Sequence, residues 1–113
     1  MAICDYSDNI IVIELPGEPD LRAELDRAIE ILQTGCNSDV IMNFSKVDIM
    51  TSMSLSGFLK VREVVCEAGK QMIFCNAKPI TKDIFKITCF DGVFEFADTL
   101  DQAVEALSKV KNC

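Results

Sequence analysis

Short runs of consecutive apolar residues alternate along this chain with stretches in which apolar residues return every third or fourth position. Ile3 to Tyr6 and Ile10 to Leu15 are strand-favouring runs separated by the polar turn Ser7-Asp8-Asn9, which predicts a hairpin. Pro16-Gly17-Glu18-Pro19-Asp20 stops the second run. Leu21, Leu25, Ala28, Ile29 and Leu32 then repeat at three and four, the mark of a helix with one buried stripe. Gly35 suits the position just past its end. Val40-Ile41-Met42-Asn43-Phe44 is continuous enough to predict a strand covered on both faces. A second helix is predicted from about Ser54 to Ala68, closed by Gly69, with Leu55, Phe58, Leu59, Val61, Val65 and Cys66 forming a wide apolar face. Met72 to Cys75 is a fourth strand. Pro79 suits the first turn of a third helix in which Ile80, Ile84 and Ile87 line up, and Val93 to Phe96 is a fifth strand. Thr99 and Gln102 have the spacing of a capping box ahead of a last helix, with Leu100, Ala103, Val104 and Leu107 inward.

The order ββαβαβαβα predicts an α/β fold. One mixed sheet of about five strands with about four helices is expected, parallel where helices cross over and connected right-handedly. A chain of 113 residues is expected to form one domain, residues 1–113. Loops leaving the carboxyl ends of strands gather along one rim of such a sheet. The turn at 16–20 and the turn at 50–56 should therefore lie together, both at helix amino ends.

Composition narrows the function. The net charge is −7 and the Lys and Arg residues are scattered, which argues against a nucleic-acid partner, whose phosphates demand clustered cations. Six cysteines stand at positions 4, 36, 66, 75, 89 and 113 with no Cys-x-x-Cys pair, and the chain has no histidine, so no metal site is expected. Cys66 and Cys75 lie in apolar runs, where a free cysteine behaves as a small hydrophobe, and reduced thiols fit a cytosolic setting. Asp5 and Asp8 interrupt the apolar residues near the start, unlike a signal peptide, and no apolar run approaches the roughly 20 residues that span a bilayer. A cytoplasmic domain without membrane insertion is expected.

Catalysis has little support. A serine nucleophile needs a base, most often histidine, and none is present. Lys46 and Lys60 form no Ser-x-x-Lys pattern near Ser52, the phosphate-loop motif is absent, and the five glycines are too dispersed for a dinucleotide fingerprint, so no cofactor is expected. Glu18 and Asp20 could pair as acid and base, but carboxylates at a helix start are ordinarily there for the helix dipole. The richest feature is Asp48-Ile49-Met50-Thr51-Ser52-Met53-Ser54-Leu55-Ser56-Gly57-Phe58-Leu59, in which four small hydroxyl residues crowd a strand-to-helix turn. Thr51 or Ser52 can cap the helix, contributing about 1 kcal/mol. The same hydroxyls can be where a kinase writes a phosphate.

Three segments together resemble the STAS domain family, which includes bacterial anti-sigma-factor antagonists and the cytoplasmic tails of sulfate-type transporters. Gly17-Glu18-Pro19-Asp20 is similar to the family's Gly-Glu-x-Asp after the second strand. Val47 to Ser56 sits where the family has an apolar pair followed by Asp-Ser-Ser/Thr-Gly-Leu-Gly. Ile87-Thr88-Cys89-Phe90, with Val93-Phe94 and Ala103, resembles its Leu-Thr-Gly-Leu…Leu-Phe…Ala ending. The likeness covers nearly the whole chain. It places Ser52 on the family's phosphoacceptor serine, with Ser54 as the alternative acceptor. Thr51 stands where Asp is usual, Met53-Ser54 replaces Ser/Thr-Gly, and Cys89 replaces the later Gly.

The resemblance implies a non-enzymatic regulatory domain that docks on an anti-sigma factor or serine kinase-type partner and is switched by phosphorylation. The implied docking residues are Gly17, Glu18, Asp20, Thr51, Ser52, Met53, Ser54, Leu55, Ser56 and Phe58. A phosphate carries about −1.5 to −2 charges and suits a helix amino end, so the fold is expected to change little in stability while docking beside Glu18 and Asp20 weakens. Alternatively the chain is a non-phosphorylated STAS subunit of a transporter complex or signalling assembly, with Met50, Met53, Leu55 and Phe58 near the rim as an apolar docking patch. Nucleotide or small-anion binding at the same helix starts is a third reading.

Overall fold

The chain alternates strand and helix after an initial hairpin: β1 (Ile3–Ser7), β2 (Ile10–Glu14), α1 (Leu21–Gln33), β3 (Asp39–Asn43), α2 (Ser52–Glu67), β4 (Met72–Cys75), α3 (Pro79–Ile87), β5 (Glu95–Ala97) and α4 (Leu100–Lys111). This computed structural model describes residues 3–7, 9–34, 38–87 and 94–111, without the side chains of 3–7 and 108–111. Gly35, Thr88, Cys89, Phe90 and Val93, each given a role by the sequence pattern, lie outside the described residues.

The five strands form one sheet in sequence order. β1 runs antiparallel to β2, with a register shift between Asp5 and Ser7, as the hairpin reading requires. β2, β3, β4 and β5 are mutually parallel: Val12 faces Ile41, Ile41 faces Ile73, and Phe74 faces Phe96. Alternation along the strands sorts the core into two layers. Ile11, Ile13, Leu15, Val40, Met42, Phe44 and Phe74 pack with the buried residues of α1, α2 and α3. Ile10, Val12, Ile41, Ile73 and Cys75 pack with Ala103 and Leu107 of α4. Because both faces are covered, the middle of β3, Val40-Ile41-Met42, is apolar without a break. The larger layer centres on phenylalanines. Phe44 lies 5.2 Å from Phe58 and 4.6 Å from Phe74, and Phe94 stacks on Phe74 at 4.9 Å between ring centroids.

Helix boundaries follow local chemistry. α2 starts at Ser52, two residues before the predicted Ser54, because the Thr51 hydroxyl accepts the Ser54 N–H and so caps the helix. It ends in a Schellman motif: the Gly69 N–H donates to the Cys66 carbonyl and the Lys70 N–H to Val65, both at 3.0 Å, with Gly69 at φ 73°. Thr99 caps α4 through the Gln102 N–H, while the Gln102 side chain reaches the Asp98 N–H, one residue earlier than a standard capping box.

Three details depart from the pattern reading. α3 does not bury an Ile80-Ile84-Ile87 stripe: Thr81 and Phe85 face the core, Ile84 is half-buried, and Ile87 is 80% exposed. The larger Phe85 ring joins the aromatic cluster, and the Thr81 hydroxyl donates to the Val47 carbonyl at 3.3 Å, so the helix turns to favour both. Cys66 is exposed rather than part of the apolar face of α2, whereas Cys75 is buried. β5 begins at Glu95, later than the predicted Val93.

Candidate functional site

The segment after β2 and the segment after β3 meet at the carboxyl rim of the sheet, where the βα connections of a parallel sheet place them. Their contact is made by one carboxylate. Glu18 Oε2 accepts the Thr51 backbone N–H at 2.7 Å and the Ser54 hydroxyl at 2.8 Å. Glu18 belongs to the loop before α1 yet satisfies the amino end of α2, a capping role normally filled by a residue of the same helix. Partial burial pushes the Glu18 carboxyl up, but the bond from Thr51 N–H and those from the Ser54 and Thr51 hydroxyls outweigh it and hold the group below its ordinary value of 4.5. The charge of the carboxylate also suits the positive end of the helix dipole.

A second brace crosses one turn lower. Arg22, on the first turn of α1, donates from Nη1 to the Met53 carbonyl at 2.5 Å and to the Ser56 hydroxyl at 3.0 Å. Its Nε donates to Asp26 at 2.9 Å, and the Ser56 hydroxyl donates to the Met53 carbonyl at 2.9 Å. Gly57 lets α1 and α2 come together here: a Cβ at this position would stand 3.0 Å from Leu25 Cδ1 and 3.1 Å from Arg22 Cδ. On the other side of the loop, Asp48 pairs with Lys78 just ahead of α3. Gly17, Glu18, Lys46, Asp48 and Ile49 border an open hollow beside the α2 amino end.

The hydroxyl residues of this turn divide into distinct roles. Thr51 is the cap. Ser54 is fully enclosed at 0% exposure, held between Glu18 and Thr51, so its hydroxyl is part of the scaffold. Ser56 is exposed but engaged with Arg22. Ser52 is exposed at the first position of α2, and among the described residues its hydroxyl has no partner. Asp20 sits exposed at the start of α1, where its side chain caps nothing.

The expected apolar patch requires correction. Phe58 is 0% exposed inside the phenylalanine cluster, and Met50 and Leu55 are buried as well, because a helix packed on a sheet must turn its apolar stripe inward. Of that group only Met53 reaches solvent, at 64% exposure. Ile49, in the loop that leads to α2, is 66% exposed. The Arg22 brace and the pairing of Asp48 with Lys78 are rim features that the sequence pattern did not single out. Arg22 lies in a helix where nothing in the spacing marks a cross-helix contact, and Asp48 and Lys78 are 30 residues apart. Among the described residues, no group of three or more Cys, Asp or Glu could hold a metal ion, and no helix is long and apolar enough to cross a membrane.

An antiparallel edge strand feeding parallel β-α units, with a hydroxyl-rich helix start on the carboxyl rim, defines a small α/β domain of the STAS type. The family model of the STAS domain matches residues 6–103, and the chain belongs to that family. Among solved structures, a candidate anti-sigma factor antagonist from Thermotoga maritima is similar with a TM-score of 0.81 at 14% identity, over 94% of this chain and 92% of that one. The anti-sigma factor antagonist SpoIIAA in its unphosphorylated form gives 0.76 at 18% identity, over 98% and 96%. The phosphorylated form of the Bacillus cell fate determinant SpoIIAA gives 0.63 at 19%, over 92% and 96%. A chain of the stressosome, a signal integration and transduction hub, gives 0.75 at 12%, over 98% and 99%. At these identities the likeness shows the fold. No curated protein matches the chain.

Proposed function

We propose that this chain is a non-enzymatic regulatory domain of the cytoplasm that docks through its carboxyl rim on an anti-sigma factor or serine kinase-type protein and is switched by phosphorylation of Ser52. The observation that carries the reading is the exposed Ser52 hydroxyl at the first position of α2, without a partner among the described residues, with the Glu18 carboxylate bonded to the adjoining Thr51 N–H. Ser54, the alternative acceptor, is disfavoured by its enclosure. SpoIIAA, which shares the fold, exists in phosphorylated and unphosphorylated forms, which supports the same chemistry here.

Docking buries the rim, and a dianionic phosphate on Ser52 must then shed water beside Glu18, whose carboxylate holds the adjoining Thr51 N–H. A penalty of about 4 kcal/mol would weaken binding about a thousandfold. The test is incubation of the pure protein with its cognate kinase and ATP, followed by mass-spectrometric mapping and calorimetric titration of the partner. Ser52→Ala is expected to keep partner affinity and to abolish phosphate incorporation, and Ser52→Asp to weaken binding. Phosphate found only elsewhere, or none at all, removes the switch.

A second reading has its own support. Met53, next to Ser52 in sequence, and Ile49, in the loop before α2, are exposed apolar residues, and the fold is shared with a stressosome chain. Here the domain is a non-phosphorylated subunit of a signalling assembly or transporter complex. Co-purification from the native host separates the two: a kinase favours the switch, a multi-chain particle or a permease favours the scaffold.

A further inference from the structure

The carboxylate of Glu18 already occupies the amino end of α2, where it holds the Thr51 N–H at 2.7 Å and the Ser54 hydroxyl at 2.8 Å. Helix geometry leaves the N–H groups of Ser52 and Met53 without partners inside the helix, so the positive end of the dipole is focused on the place where a phosphate on Ser52 would sit. One anion suits that place. A carboxylate and a dianionic phosphate one residue apart repel each other. We propose that phosphorylation of Ser52 evicts the Glu18 carboxylate from the α2 amino end, so that the phosphate acts by freeing the loop before α1 as well as by adding charge. The proposal rests on Ser52 being the modified residue and deepens that reading. It also revises the expectation that phosphorylation changes the stability of the fold little.

The neighbourhood favours departure of Glu18 over departure of the phosphate. The phosphoryl group is tethered to α2 itself, whereas Glu18 reaches in from another element. Two of the nearby cations are committed elsewhere: Arg22 is bonded to Asp26, the Met53 carbonyl and the Ser56 hydroxyl, and Lys78 is paired with Asp48. Asp20 and Lys46 are exposed on the flanking loops. Loss of the Glu18 contact unlinks residues 17–20 from α2, leaving Arg22 as the brace one turn lower.

The test needs no kinase. Phosphoserine is installed at position 52 during translation, in the full chain and in its Glu18→Gln variant, and the Thr51 amide proton is followed by NMR. In the unphosphorylated chain Glu18→Gln is expected to move this resonance upfield, because a charged acceptor is lost. With dianionic phosphate present, above about pH 7, the same substitution is expected to leave it in place, because Glu18 has already gone. Towards pH 5, where the phosphate is a monoanion, the difference should partly return. Thermal melts of the four species provide a second measurement. Phosphate is expected to lower the midpoint of the Glu18 chain by several degrees and to leave that of Glu18→Gln unchanged or higher. An equal effect of Glu18→Gln on the Thr51 amide with and without phosphate, or equal melting shifts in the two backgrounds, overturns the eviction. Failure of the kinase to modify Ser52 would instead sink the switch, and these measurements would still stand.

Discussion

Ser52 and Ser54 are two residues apart in sequence and opposite in circumstance. Ser54 is enclosed, donates to a carboxylate and accepts from the Thr51 hydroxyl, whereas Ser52 faces solvent. Removing a buried hydroxyl that satisfies a charged acceptor costs about 1–3 kcal/mol, and a surface change of this kind costs within about 0.5 kcal/mol of nothing. Ser54→Ala is therefore expected to lower the urea midpoint clearly and Ser52→Ala hardly at all. Similar losses would mean that Ser52 is also structural. The cysteines offer a parallel contrast. Burial pushes the Cys75 thiol up to about 11, while Cys66 is exposed on α2. Thiolate is the reactive form, so iodoacetamide at about pH 7.5 should label Cys66 and spare Cys75 until the chain unfolds, as read by peptide mapping. Labelling of Cys75 at the rate of Cys66 in the native protein would mean that the layer beneath α4 opens readily.

At the scale of elements, the joint between the β2–α1 loop and α2 depends on pH. The folded Glu18 carboxyl lies below 4.5 because its hydrogen bonds favour the charged form. A depressed carboxyl contributes stability that is complete above its unfolded value and fades as pH falls through its folded value. The stability gap between the wild type and Glu18→Gln should therefore be widest above about pH 5 and narrow as the pH falls below 4.5, in urea melts across that range. A gap that stays constant with pH would show that the contact is not ionic. This joint also marks the limit of what the sequence revealed. Strand and helix order, the antiparallel hairpin, the Gly69 stop and the Thr99 cap were legible because each rests on local spacing or on one residue's backbone preference. That the two turns share a rim followed from topology. That Glu18 reaches across to cap α2 did not, because a contact spanning 33 residues leaves no local pattern. The inward faces of α3 were misassigned for a related reason: Ile80, Ile84 and Ile87 satisfy the helical period, but the choice among rotations is made by Phe85 finding partners from distant strands.

At the scale of the molecule, the two sides of the sheet are unequally protected. α1, α2 and α3 cover one face around the phenylalanine cluster, and among the described residues α4 alone covers the other. Among the described residues its fully buried anchors are Ala103 and Leu107, set against Ile41, Ile73 and Cys75. Local stability follows the apolar surface that an element buries, and elements with few anchors open below the global unfolding energy. α4 is therefore expected to exchange its amide hydrogens earlier than α2 or β3 in native-state hydrogen exchange. Leu107→Ala should cost about 2–5 kcal/mol locally and accelerate α4 amides selectively, while Phe74→Ala, at about 3–5 kcal/mol, should accelerate every protected amide together. This ordering bears on function, because the rim with Ser52 belongs to the better protected layer and stays formed when α4 opens. Uniform acceleration by Leu107→Ala would show that the two layers unfold as one unit and that the rim has no independent rigidity.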